Sequence, residues 1–260
     1  MSGKDRFGEI DALRGLAVIA MVLYHLFFDL SAFGLMDISL TSLPMELVET
    51  ITPPIFFGIV GISLYISFQR SKNEVERASL SRKYLIRGGK LLVLGLVITG
   101  VTFFMFPEFV VVFGALHFIG VSVVLGYFLL RALEGTRPGF RLGGYGIVAV
   151  VSFGLPVVIG VESPKFHFLI PLGITPEGFQ SLDYYPVIPW FGYVASGLGL
   201  GELFYPSGSR RFDGLSFRSR ILGFIGRNAL IIYFLHQPLL YFGVLTFRRL
   251  ISGTWSVGIF

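Results

Sequence analysis

Seven apolar stretches, each long enough to cross a bilayer, alternate with short polar segments along this chain. They run roughly over residues 10–34, 46–69, 85–106, 109–131, 142–161, 185–205 and 222–247. A spanning α-helix needs about 20 mostly apolar residues, so the pattern predicts an all-α polytopic membrane protein. Its expected form is a bundle of about seven transmembrane helices forming one domain over residues 1–260. Only "FPEF" separates the third and fourth stretches, and its Pro107 suits a tight turn. The first stretch is too long for the apolar core of a cleaved signal and reads as a retained anchor. No internal repeat is visible, which gives no support to an inverted-repeat transporter.

Composition strengthens this picture. The chain is 53% hydrophobic and only 14% charged, with a mean hydropathy of +0.75, and no segment is polar enough for a soluble domain. The absence of cysteine excludes disulfides, thiolate metal sites and an acyl-cysteine intermediate. The net charge of +5 is spread over loops without forming one basic face, so no nucleic-acid partner is expected. Placed on the seven stretches, seventeen of the 21 Lys and Arg residues fall on one side, against Lys165, Arg248 and Arg249 on the other. The positive-inside rule then expects a cytoplasmic N-terminus and an external C-terminus.

Charge also marks one stretch out. "LRGLAVIAMVLYH" opens on Arg14 and closes on His25, about 16 Å apart along a helix and within about 20° of each other around it. Asp11 and Asp29 fall inside the same arc of about 60°. Ionisable groups within a span avoid lipid, so this stripe is expected to face protein or water. His117 in "FGALHFIG" lies about eight residues into its predicted span, and His236 in "IIYFLHQPLL" about fourteen into its own. At those depths His25, His117 and His236 are expected at a similar level and suggest one cavity. Asp11 with Arg14 also reads as an interfacial ion pair. His167 falls in an external loop and receives no role.

Imidazole can take a proton from a hydroxyl or amine near neutral pH, which makes His25 the candidate general base and Asp29, one turn on, its orienting group. Arg14, with Arg87 and Lys90 at the start of the third span, offers cations for the phosphates of an activated acyl donor such as acyl-CoA. Asn228 in "GRN" is a further donor-side candidate, and Gln237 beside His236 a candidate on the acceptor side. The glycines of "GIVGIS" and "GLGLGE" are read as sites of close helix packing.

"RFGEIDALRGLAVIAMVLYHLFFDL" resembles the first span of the transmembrane acyltransferases related to heparan-alpha-glucosaminide N-acetyltransferase. The likeness continues in order through "PIFFGIVGISLYIS", "RKYLIRGGKLLVLGLVIT", "FGALHFIG", "DYYPVIPWFGYVASGLGLGE" and "IGRNALIIYFLHQPLL". Arg14 and His25 also resemble the Arg-x10-His signature of a wider membrane acyltransferase group, in which those positions serve catalysis and donor binding. The loop after this span, "SAFGLMD", carries no histidine where the eukaryotic enzyme has its catalytic one, so His25 is assigned by analogy with the wider group. The resemblance implies transfer of an acyl group, acetyl above all, from cytoplasmic acetyl-CoA or another acyl-CoA to a sugar or lipid-linked acceptor. No metal is expected; the expected setting is a prokaryotic plasma membrane, with membrane lipid as a contact and a homodimer as one arrangement of the chain. His117, His236 and Gln237 would then support the acceptor side. Two rival readings are a proton-coupled transporter or channel using the Asp11, Arg14, His25 and Asp29 stripe, and a haem protein with axial histidines from separate spans.

Overall fold

The computed structural model describes residues 6–252 except 38, 40, 41, 73–75, 160–166, 213 and 215. Lys4 and Lys165, which entered the charge count, lie outside the described residues. The described residues are 79% helical with no strand among them, and seven helices among them are long and apolar enough to span a membrane. The all-α polytopic class is therefore observed. The helices are α1 (Gly8–Ala32), α2 (Leu43–Ser71), α3 (Arg77–Met105), α4 (Ala115–Ala132), α5 (Pro138–Ile159), α6 (Val187–Phe204), α7 (Arg220–Arg227) and α8 (Ala229–Ser252).

Apolar patterning located the spans, whereas local caps set their ends. At the end of α1, Gly34 adopts φ +67° and its N–H bonds to Ser31, while Leu35 reaches back to Leu30. That paired return closes a helix on a left-handed residue, which glycine adopts without steric cost. Two ends differ from the sequence reading. The fourth span begins at Ala115 and not near residue 109, because the Asp183 carboxylate caps the Ala115 N–H at 2.9 Å. Residues before it form a loop whose carbonyls at Phe109 and Phe113 accept from Leu182 and Tyr185. The stretch read as one span over 222–247 is two helices, α7 and α8, divided at Asn228. Ser219 caps the start of α7 through the Leu222 N–H. Asn228 closes it by donating its side-chain amide to the Phe224 carbonyl at 2.8 Å, and its own carbonyl accepts from Ile232 at the start of α8.

The chain divides into two compact units, residues 1–56 with 213–260, and residues 57–212. In the first, α1 packs on α7 and α8. Gly15 of α1 and Gly226 of α7 let the two backbones touch: a Cβ on Gly226 would strike the Asp11 carbonyl, and one on Gly15 the Leu222 carbonyl. Small residues at such a crossing permit close van der Waals packing in lipid.

In the second unit α3 packs on α4, α5 on α6, and α4 on α6. Gly61 of α2 lies against Gly197 of α6, so both glycine-rich stretches do serve helix packing. Phe57 joins three parts of this unit, with ring centroids 4.5 Å from Phe118, 5.1 Å from Tyr185 and 5.6 Å from Trp190. Buried tyrosines hold serine hydroxyls: Tyr84 pairs with Ser67 at 3.0 Å and Tyr127 with Ser81 at 2.5 Å.

Candidate active site

The polar stripe of α1 finds its partners on α8. His25 and His236 lie with ring centroids 5.0 Å apart, tilted by 52°. One turn further along α1, Asp29 accepts from the side-chain amide of Gln237 at 3.0 and 3.3 Å through its two carboxylate oxygens. Helical spacing explains the first half, since residues 25 and 29 share a face. Consecutive residues 236 and 237 both meet that face. Asp29 and His236 are buried, while His25 is only partly so. The Tyr24 ring stands edge-on to His25 at 5.6 Å, and its hydroxyl donates to Glu49 at 3.0 Å.

Four of the expected site residues thus meet in the first unit: His25, Asp29, His236 and Gln237. Their division of labour differs from the expectation, for the Asp29 carboxylate engages Gln237 and not the His25 ring. His25 itself makes ring contacts with Tyr24 and His236 and no hydrogen bond among the described residues. His236 is the eighth residue of α8, nearer its helix start than the fourteen residues expected, because Asn228 interrupts the run. Its Nδ1 lies 2.6 Å from the Tyr233 carbonyl oxygen.

Arg14 pairs with Asp11 at 3.0 Å, the expected ion pair, and also reaches the Gly226 carbonyl at the end of α7 at 3.4 Å. A cation beside the last carbonyls of a helix complements its negative end. Asn228 spends its amide on the Phe224 carbonyl, a capping role that the sequence reading did not foresee.

His117, Arg87 and Lys90 belong to the second unit. His117 stands in the first turn of α4, stacked on Phe113 at 5.7 Å, with Nε2 3.4 Å from the Thr99 hydroxyl. Its ring fills the space over Gly95, where a Cβ would approach to 2.8 Å. Arg87 and Lys90 are exposed on α3. A second polar centre went unread in the sequence. Arg141 binds Glu202 through both carboxylate oxygens, its Nε at 2.9 and 3.1 Å and its Nη2 at 2.5 Å, and donates to the Thr136 carbonyl. Glu202 closes the "GLGLGE" stretch, and a carboxylate at the end of an apolar span was the signal. Among the described residues no group of three or more His, Cys, Asp or Glu side chains is placed to hold a metal ion.

The match to known proteins covers this same ground. A family model described as heparan-alpha-glucosaminide N-acetyltransferase, catalytic, matches residues 6–238. The chain belongs to this family. The matched segment of the heparan-alpha-glucosaminide N-acetyltransferase catalytic family begins just before α1 and ends one residue beyond Gln237. It therefore contains both sides of the histidine cluster, and family membership makes the chain a membrane acyltransferase by class. No curated protein matches it.

Proposed function

We propose that this protein moves an acyl group, acetyl above all, from a CoA thioester to a hydroxyl or amine on a sugar or lipid-linked acceptor. The chemistry is assigned to the cluster of His25, Asp29, His236 and Gln237, with the chain acting as one functional domain. The observation that carries the reading is the meeting of two intramembrane histidines at 5.0 Å beside a buried carboxylate–carboxamide pair, in a chain of this family. Intramembrane ionisable groups are costly and mark function. An imidazole can relieve the acceptor of its proton as the acceptor attacks the thioester carbon, and can return that proton to the leaving thiolate. With no cysteine in the chain, direct attack of acceptor on thioester is the simplest route.

Donor-phosphate binding is proposed for Arg14 of the first unit and, separately, for Arg87 and Lys90 of the second, since guanidinium and ammonium groups both bind phosphate oxygens. The charge asymmetry supports a cytoplasmic N-terminus and a donor arriving from that side, in a prokaryotic plasma membrane. The test is purified protein in nanodiscs, given acetyl-labelled CoA and a membrane lipid and glycan extract. Labelled product is expected from the wild type and its near-complete loss from His25→Ala with His236→Ala. A wild type that transfers no label from the thioester would overturn the reading.

A further inference from the structure

Two adjacent residues of the cluster each end in a buried atom with a lone pair and no hydrogen-bond partner among the described residues: His236 Nε2 and Gln237 Oε1. In both cases a neighbour dictates which atom is left over. The Tyr233 carbonyl oxygen, 2.6 Å from His236 Nδ1, can only accept, so Nδ1 carries the hydrogen and the neutral ring keeps its lone pair on Nε2. Asp29 likewise accepts from the Gln237 carboxamide nitrogen. The reverse orientation would set oxygen against carboxylate oxygen, so the amide is held with Oε1 turned to other partners. Both residues face the His25–Asp29 side of α1. His236 is 8% exposed and Asp29 3%, and buried polar atoms in proteins are almost always matched.

Resting on the transferase reading above, we propose that His236, through Nε2, is the general base, and that Gln237 Oε1 anchors the acceptor's second donor. The acceptor then carries a second O–H or N–H group besides the reacting one, as a diol or an amino alcohol does. One group loses its proton to His236 Nε2 while its heteroatom bonds to the thioester carbonyl carbon. The C–S bond breaks, and the thiolate takes the proton from the imidazolium, leaving an ester or amide and a free thiol. Nδ1 keeps its hydrogen throughout, donating it to the Tyr233 carbonyl, which steadies the charged ring, while Asp29 acts as a positioning residue through Gln237. Of the titratable groups at this cluster, His25 and Tyr233 face His236 itself, Asp29 faces Gln237 and lies near Tyr241, and the Tyr24–Glu49 pair stands beside His25.

Nitrogen-15 NMR of histidine-labelled full-length protein in nanodiscs reads the tautomer directly. The expected His236 spectrum pairs a protonated, pyrrole-type Nδ1 with an unprotonated, pyridine-type Nε2, assigned by its loss in His236→Gln. A pyrrole-type Nε2 would overturn the proposal. Kinetics with acetyl-CoA and the probe alcohols cis-1,2-cyclohexanediol and cyclohexanol supply the second readout. His236→Gln should lower kcat by about 10²–10⁴-fold, the range for a general base, abolish the acidic limb of the pH profile, and regain rate with added imidazole. His25→Gln should keep that limb. Gln237→Leu should erase the wild-type preference for the diol, mainly through KM. If His236→Gln retains the limb, or Gln237→Leu the preference, this proposal falls while the transferase reading stands. A wild type that leaves acetyl-CoA intact with these alcohols and with membrane extract alike removes both.

Discussion

At the scale of single residues, the two intramembrane polar centres follow different physics. The Arg141–Glu202 pair saturates itself: the guanidinium meets both carboxylate oxygens and a backbone carbonyl, and Glu202 is 6% exposed. Replacing such a pair by apolar groups can be neutral, whereas removing Glu202 leaves the partly exposed Arg141 guanidinium without its carboxylate, at a cost below the about 3–5 kcal/mol of a fully buried pair. Glu202→Gln should therefore lower the thermal midpoint in detergent, and adding Arg141→Met should recover most of the loss. A Glu202→Gln protein as stable as the wild type would remove the pair from the stabilising core. The cluster of His25, Asp29, His236 and Gln237 differs, because it retains acceptors without partners among the described residues. One helix face collects Asp11, Arg14, His25 and Asp29, and a period of 3.6 residues is visible in any sequence, so this side of the cluster is legible there. Which groups on α8 they touch, 208 residues away for Asp29 and Gln237, is set by tertiary packing and has no periodic trace. The same limit hid Glu202, whose partner on α5 lies 61 residues back.

At the scale of elements, hydropathy located every span but not every end. Residues 222–247 are apolar on both sides of Arg227–Asn228, and two polar residues in a run of that length do not by themselves mark a helix break. The division comes from a side-chain amide that caps α7 and a carbonyl that starts α8. The consequence is a separate α7 of eight residues lying tightly on α1. Glycine makes that contact steric. An Ala at 226 would drive its Cβ into the Asp11 backbone carbonyl and to 3.0 Å from the Gly15 nitrogen, and neither atom belongs to a side chain that can move aside. Gly243 of α8 has open space around its missing Cβ. Gly226→Ala should thus destabilise the protein by about 1–3 kcal/mol or more, whereas Gly243→Ala should gain up to about 1 kcal/mol from helix propensity. Thermal unfolding of the two variants in one detergent checks the opposite signs. Equal effects would mean that α1 and α7 separate readily.

At the scale of the whole molecule, the issue is which membrane face the donor meets. Seven spans and a basic excess on alternate loops support an inside N-terminus. That would place Arg14, seventh in α1, toward the cytoplasm, with His25 about 16 Å deeper. A chain free of cysteine makes this testable with one introduced thiol at a time. Ser209 is exposed between α6 and α7, and Gln180 is exposed between α5 and α6. In intact cells a membrane-impermeant maleimide should label Gln180→Cys at once and Ser209→Cys only after permeabilisation. The opposite pattern would turn Arg14 toward the outside, where a cytoplasmic thioester donor cannot reach it. Phosphate binding by Arg14 would then fail on topology alone. The histidine cluster would keep its local geometry, yet it would need a donor supplied from the far side.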